Sequence, residues 1–239
     1  MRKWILLLVL VWGSSHCLWS ADQYSKGDTL FVWAKNGLNL REKPDTKSKI
    51  LAKVSFGDFL IIVQPTDQEY HVLGIKPDNV PNSYVQESDP VIFKGKWVQV
   101  MDQFGQIGFV IDQYLLRHKP SPERNSTFVQ FDILRTDTTF LNPVPEDGGA
   151  LNLSKITYLA HGITLNSEWG GVWILETYQL PDHTIQEALV RISSTLDNFT
   201  NWRVKRNWKE EIIIVDDGIC GMRIWMDHGL VRMEYSCSC

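Results

Sequence analysis

The most informative stretch in the first half of this chain is Gly37-Leu38-Asn39-Leu40-Arg41-Glu42-Lys43-Pro44. Short apolar runs on both sides of it alternate with a period of two and are separated by Gly, Pro and Asp, which is typical of short strands joined by tight turns. These runs are residues 30–34, 50–54, 59–63, 97–101 and 106–111. The pattern predicts a small all-β barrel or sandwich across residues 28–118.

Four segments of this region occur in the order typical of bacterial SH3 (SH3b) domains. Residues 37–44 resemble the family's opening LNVRSGPS, and residues 48–51 with 56–58 are similar to its next segment. Residues 95–100 resemble GWYKV, and residues 108–110 with 113–116 resemble the ending GWV…SYL. The resemblance covers residues 28–118. It implies an SH3-like small β-barrel that binds peptides or cell-wall fragments in the bacterial envelope and is not itself an enzyme.

Residues 64–94 form an insertion where the family has a short turn. Loops of this length in compact domains are normally functional or disordered, but a tolerated surface insertion is the simpler interpretation, because loop-closure entropy grows slowly with length. The apolar run 70–75 within it predicts one additional strand. A loop that covered the ligand groove would weaken any inference about binding.

A ligand groove on this barrel has four candidate aromatic side chains: Trp33, Trp97, Phe104 and Phe109. Exposed aromatic rings bind extended or sugar-like ligands by stacking and apolar contact. The alternative role for each ring is to fill the small barrel. Trp97 is the preferred ligand contact, because it opens a strand beside the long insertion.

Length and composition set the broad class of the whole protein. The chain has 239 residues, of which 44% are hydrophobic and 22% charged, as in globular proteins with one large or two small domains. Its formal charge is −4, which becomes −6 if Arg2 and Lys3 are removed. A net negative chain lacks the overall attraction that dominates nucleic-acid binding, so we expect no nucleic-acid partner.

The first 21 residues have the order of a secretory signal peptide. Two basic residues precede an apolar run over residues 4–12, which is too short to span a bilayer, and small polar residues follow. We therefore expect export to the periplasm or the exterior. Cys17 occupies the position of an acylated lipoprotein cysteine, although Ser14 and His16 depart from that pattern. Simple export is preferred, and membrane attachment is expected only if Cys17 is lipidated.

A polar linker with two prolines, residues 119–127, separates this barrel from a second domain over residues 128–239. Strands are predicted at residues 128–134, 156–165, 172–180, 202–208, 211–215, 219–226 and 230–237, of which 202–208 and 211–215 could form one continuous strand. Thr184 and Glu187 form a capping box that begins a helix over residues 185–196. The fold class is thus mainly β: the barrel is followed by an α+β domain, an antiparallel meander with one helix.

Catalytic, metal and cofactor sites are not indicated. Cys220 lies in a strand, which offers no help in lowering a thiol pKa, and His228 falls in the adjacent turn. The histidines at positions 161, 183 and 228 have no metal-ligand spacing. Glu176 lies in an apolar strand and is expected to have a raised pKa, which alone is weak support for catalysis.

The last hairpin predicts a disulfide from its register. A two-residue loop at His228 and Gly229 suits a type I′ turn and pairs Asp227 with Leu230. Continued along the strands, this register places Cys220 opposite Cys237 in a non-hydrogen-bonded pair, close enough for a disulfide. Cys239 is the competitor for Cys220.

These observations predict an exported cell-envelope protein that acts as a non-catalytic binding module. Its expected partner is a peptide, a peptidoglycan-like ligand or another envelope protein. The alternative is an envelope hydrolase whose catalytic second domain lacks a recognisable motif. A third interpretation is a structural protein whose groove is closed by the insertion.

Overall fold

The computed structural model describes residues 24–77, 90–121, 132–140, 153–170, 172–195, 203–208, 211–215 and 220–238. The predicted signal peptide, Cys17, most of the predicted linker and Cys239 lie outside these residues. Within them the fold is mainly β with one α-helix, so the predicted fold class is confirmed. No helix in these ranges is long and apolar enough to cross a membrane.

The strands of the first half form a sheet that curls into a half-barrel. They are β1 (Thr29–Val32), β2 (Leu38–Arg41), β3 (Ile50–Val54), β4 (Phe59–Pro77), β5 (Val91–Met101), β6 (Ile107–Ile111) and β7 (Leu115–Leu116). The spatial order is β3-β2-β6-β5-β4, and β1 pairs with both β4 and β7. Alternate apolar residues of these strands fill the interior, because successive strand side chains point to opposite faces.

The predicted insertion is largely a continuation of the barrel strands. β4 and β5 pair in an antiparallel arm that extends from Ile61 and Met101 to Ile75 and Val91. Val91 and Phe93 are buried in the arm. The described residues of the insertion are therefore paired strands, and Val91 and Phe93 of the arm are buried against the second half of the protein.

The second half forms an antiparallel sheet. Its strands are β8 (Ile133–Phe140), β9 (Leu153–Leu159), β10 (Thr164–Gly170), β11 (Trp173–Leu180), β12 (Arg203–Trp208), β13 (Glu211–Val215), β14 (Cys220–Asp227) and β15 (Leu230–Ser238). They lie in the order β12-β13-β14-β15-β11-β10-β9-β8. The predicted antiparallel meander is confirmed.

One strand prediction in this half needs correction, and one open alternative is decided. Residues 156–165 are divided between β9 and β10 by a 3-10 turn, Ala160–Gly162, in which His161 has a φ of 63°. β12 and β13 are antiparallel neighbours, with Arg203 opposite Val215, and not one continuous strand. The first reversal carries no Pro-Gly or Asn-Gly signal, and apolar residues on both sides of it, Leu159 and Ile163, made the segment resemble one strand.

The helix α1 (Ile185–Thr195) begins at the predicted capping box. The Thr184 backbone N–H donates to Glu187 Oε2 at 2.8 Å, and the Glu187 N–H donates to Thr184 Oγ1 at 3.1 Å. Ala188, Leu189 and Ile192 are buried, so the helix covers one face of the second sheet with its apolar side.

A shared core joins the two halves. Trp33, Phe93 and Leu116 from the first half belong to the same buried cluster as the apolar face of α1 and the inner face of the second sheet. β12 also pairs in parallel with the end of β4, so the two sheets are continuous through one edge. Consequently the apolar core crosses the predicted domain boundary.

Candidate functional site

Trp33 is a core residue and does not present its ring to a ligand. It has no exposed surface, and its Nε1–H donates to the His118 carbonyl oxygen at 2.7 Å. The Arg191 guanidinium lies 4.3 Å from the centre of its ring, and the Phe56 ring meets it edge-on. Trp33 therefore packs at the junction of the two halves, which corrects its assignment as a ligand contact.

Trp97, the preferred ligand residue, is covered by the β4–β5 arm. Its exposed fraction is 2%, the Tyr70 ring meets it edge-on at 5.8 Å, and the Thr66 hydroxyl donates to its carbonyl oxygen. The pairing of β4 and β5 is irregular between Pro65 and Glu69, and this bulge brings the arm over the indole. A ligand in solvent has no access to this ring.

Phe104 is the exposed aromatic residue of the predicted set. Its exposed fraction is 85%, and it lies in the turn between β5 and β6. The buried Asp102 carboxylate holds this turn, since its Oδ1 accepts from the backbone N–H groups of Phe104 and Gln106, both at 2.9 Å. Gly105 completes the turn with a φ of 81°. The ring thus projects into solvent from a fixed base, as a ligand-stacking residue requires.

Phe109 lies on the outside of the half-barrel, in a mixed row of side chains. The strand register places Gln99, Phe109, Arg41 and Ile50 side by side across β5, β6, β2 and β3. Met101 and Ile107 form the next row toward Phe104. We call these seven residues the outer strip. It offers apolar and aromatic surface beside one amide and one guanidinium, a suitable lining for an extended ligand.

Three histidines come together at the junction of the two halves. The rings of His118 and His161 stack with centres 3.7 Å apart, and His118 lies 5.8 Å from His183. They follow β7, β9 and β11 respectively, so only tertiary contacts bring them together. Nothing in the sequence signals this cluster, because more than 20 residues separate each histidine from the next.

Burial controls the charge of this histidine cluster. It lowers the pKa of His118 to about 4, with the neighbouring His161 as the next cause. Burial also lowers the pKa of His183 to about 3, helped by the nearby positive charge of Arg191. Burial lowers the pKa of the Arg191 guanidinium itself to about 9. His118 and His183 are therefore neutral at pH 7, while Arg191 remains positively charged there.

The histidine cluster does not have the geometry of a metal site. Stacked imidazoles present their faces to each other, whereas metal binding requires ring nitrogens that converge on one point. In the part of the chain that the structure describes, no group of three or more His, Cys, Asp or Glu residues is arranged to hold a metal ion.

Glu176 is a buried carboxyl group, as the sequence predicts. Its exposed fraction is 5%, and burial raises its pKa, while a hydrogen bond of 2.6 Å donated by the Tyr178 hydroxyl acts in the opposite direction. In the sheet register Glu176 lies between Ser167 and Tyr235. The carboxylate is thus accommodated by polar neighbours within the sheet.

The predicted register of the last hairpin is confirmed at every pair. His228 and Gly229 have φ values of 49° and 80°, and Cys220 faces Cys237 and forms a disulfide with it. Arg223 and Glu234 lie opposite each other with 3.7 Å between their charged atoms. The cation beside the Trp225 ring is Arg223, because Arg232 pairs instead with Asp227. The bonded Cys220 is not available as a catalytic thiol.

No family model matches this chain, and no curated protein or solved structure matches it significantly. The site must therefore be judged on its own geometry. The outer strip combines exposure, a fixed aromatic residue and mixed chemistry, whereas Glu176 and the histidine cluster are enclosed or half-enclosed within the fold.

Proposed function

We propose that this protein is an exported, non-catalytic binding module of the bacterial cell envelope, and that the outer strip holds an extended peptide or cell-wall ligand. The SH3b resemblance of residues 28–118 supports the class of ligand. The Cys220–Cys237 disulfide supports export, since disulfides persist in oxidising compartments.

The single observation that carries the proposal is Phe104. An aromatic side chain that is 85% exposed adds no stability to the folded core. The turn that carries it is nevertheless held in place by hydrogen bonds to the Asp102 carboxylate. Because the turn that carries Phe104 is already ordered, ligand binding there loses little backbone conformational entropy. Phe104 is therefore the residue whose removal should affect binding without affecting folding.

The test is co-sedimentation of the mature protein with purified cell-wall sacculi. We expect the protein to pellet without release of soluble fragments, and the Phe104→Ala variant to bind about tenfold more weakly, which corresponds to about 1.4 kcal/mol. Leu134→Ala is the matched control, because Leu134 is 69% exposed on β8, outside the outer strip. That variant should bind like the unmodified protein.

Three results would contradict the proposal. Release of soluble fragments would favour the envelope hydrolase. Absence of sedimentation would favour a structural or protein-interaction role. Unchanged binding by Phe104→Ala would show that the ligand does not bind at the outer strip.

A further inference from the structure

We propose that the ligand of the outer strip is a linear polyanion other than a nucleic acid, a chain that carries repeated carboxylate or phosphate groups, and that the β2–β3 hairpin supplies the positive charge that selects it. This inference rests on the proposed function, because it names the ligand class of the same surface.

Charge is unevenly distributed along the chain. Residues 35–53 contain six basic and two acidic side chains, a formal charge of +4, whereas the chain as a whole carries −4. All the other residues together therefore carry −8. The basic residues are Lys35, Arg41, Lys43, Lys47, Lys49 and Lys53, and the five lysines among them are exposed. Such local segregation in an acidic protein attracts anions to one surface and repels them elsewhere.

The cations line up along the outer strip. Lys53 lies opposite Asn39, and Arg41 lies opposite Phe109, on the outward face of the same strands. Lys43 and Lys47 follow in the turn between β2 and β3. At about 3.3 Å per strand residue, the strand positions from Asn39 to Arg41 alone span about 7 Å, and the lysines of the turn lie beyond them. The positive charge thus forms a row beside the aromatic side chains.

The β2–β3 turn that carries these lysines is held in place. Gln68 Nε2 donates to the Pro44 carbonyl oxygen at 2.7 Å, and Arg41 Nη1 donates to the Ser48 carbonyl oxygen at 2.7 Å. Asp45, one of the two acidic residues, accepts from the Lys47 backbone N–H at 2.9 Å and so shapes the turn. Glu42 is the other acidic residue of the hairpin, and it is exposed.

The arrangement favours a polymer over a small anion or a membrane surface. A small anion needs donors that converge on one point, whereas these cations are spread along a hairpin. A flat anionic bilayer would meet mainly the turn, but Lys53 and Arg41 lie back along the strands, level with Asn39 and Phe109. A chain that lies along the strip passes Arg41 and Lys53, reaches the lysines of the turn and places its apolar parts against Phe109 and Ile107.

The experiment titrates the mature protein with polyphosphate and with poly-L-glutamate at several salt concentrations, with neutral dextran as the reference polymer. If Arg41, Lys43, Lys47, Lys49 and Lys53 each neutralise one polymer charge, log K should fall against log salt with a slope of about −3.5. The triple variant Lys43→Gln, Lys47→Gln, Lys49→Gln should bind at least about tenfold more weakly at low salt, with a slope smaller in magnitude by about 2.

The matched control removes the same charge elsewhere: Lys26→Gln, Lys119→Gln and Arg135→Gln, at three exposed positions outside the hairpin. Equal weakening by both triple variants would overturn the inference, because net charge and not the hairpin would then govern binding. Binding to vesicles of anionic lipid in preference to both polymers would overturn it in favour of a membrane surface. Unchanged thermal unfolding of the variants excludes misfolding as the cause.

The two proposals fail separately. If neither polyanion binds while sacculi still pellet the protein through Phe104, the polyanion inference is wrong and the binding module stands. If a polyanion binds through the hairpin but sacculi do not pellet the protein, the charge selectivity stands and the cell-wall ligand is wrong.

Discussion

The absence of a side chain at Gly108 allows β6 to pack closely against β2 in the half-barrel. A Cβ at this position would lie 2.7 Å from the Arg41 carbonyl oxygen and 2.8 Å from Leu40 Cγ. Any larger residue would therefore push β6 away from β2 at the one register pair that joins these strands, Arg41 with Phe109. The close approach requires glycine because backbone atoms, unlike flexible side-chain ends, cannot move aside.

We expect Gly108→Ala to lower the free energy of unfolding by about 1–3 kcal/mol, the usual cost of overpacking. Urea unfolding measures this difference, and Gln106→Ala, at an exposed side chain two residues away, should change it by less than about 0.5 kcal/mol. An unchanged stability of the alanine variant would show that β2 and β6 are not in this close contact.

At the scale of elements, α1 is fastened to the β4–β5 arm by one side chain. The Lys94 backbone N–H donates to Gln186 Oε1 at 2.9 Å, and Gln186 Nε2 donates to the Lys94 carbonyl oxygen at 2.6 Å. The glutamine thus pairs with the strand as a neighbouring strand would. Its exposed fraction is 2%, so water does not readily replace these bonds.

Gln186→Ala should therefore destabilise the protein by about 2–4 kcal/mol, because it leaves a backbone donor and a backbone acceptor without their partner. Ser193→Ala, on the same helix, should be nearly neutral, since the Ser193 hydroxyl bonds only to the Val190 carbonyl oxygen of its own turn. Chemical denaturation of both variants checks the difference. Equal stabilities would mean that the glutamine does not fasten the helix.

At the scale of the whole molecule, the histidine cluster makes the junction sensitive to acid. His118 and His183 have pKa values of about 4 and about 3 in the folded protein, below the unperturbed 6.5. The unfolded chain therefore binds more protons as the pH falls below 6.5, and stability is lost progressively toward pH 3 to 4. His161, Arg191 and Arg117 oppose protonation of His118, Asp182 favours it, and Glu187 faces Arg191.

Each histidine contributes at most about 1.4 kcal/mol per pH unit in this window, and His118 less, because solvent screens its half-buried ring. The double variant His118→Gln, His183→Gln should thus show a shallower loss of stability between pH 6.5 and 4. Urea unfolding at several pH values measures the slope. His228→Asn, at a side chain that is 98% exposed in a turn, is the control and should keep the original slope. An equal slope for the double variant would contradict the assignment.

Glu176 contributes to the pH dependence with the opposite sign. Burial raises the pKa of this carboxyl group in the folded protein. Its ionisation therefore lowers the stability of the folded protein as the pH rises through the pKa of the folded state. The tertiary environment, and not the residue type alone, thus determines how stability varies with pH.

Features that depend on near neighbours in the chain could be predicted from the amino-acid sequence. Period-two alternation and turn residues gave the strands of the half-barrel, the pair Thr184 and Glu187 gave the start of α1, and the two-residue loop at His228 fixed the hairpin register and the disulfide. Each of these signals lies within a few residues or follows directly from one turn, where steric and hydrogen-bonding rules leave few alternatives.

Which buried faces meet could not be predicted from the sequence and is seen in the folded protein. The burial of Trp33 and Trp97, the pairing of Gln186 with Lys94 across 92 positions, and the stacking of His118 on His161 all join segments distant in sequence. The local sequence pattern around an aromatic residue in a strand is the same whether its ring faces solvent or a second layer of the protein. The sequence could not show that Phe104 is exposed while Trp33 and Trp97 are buried. Their burial depends on the β4–β5 arm and α1, which pack against them from distant parts of the chain.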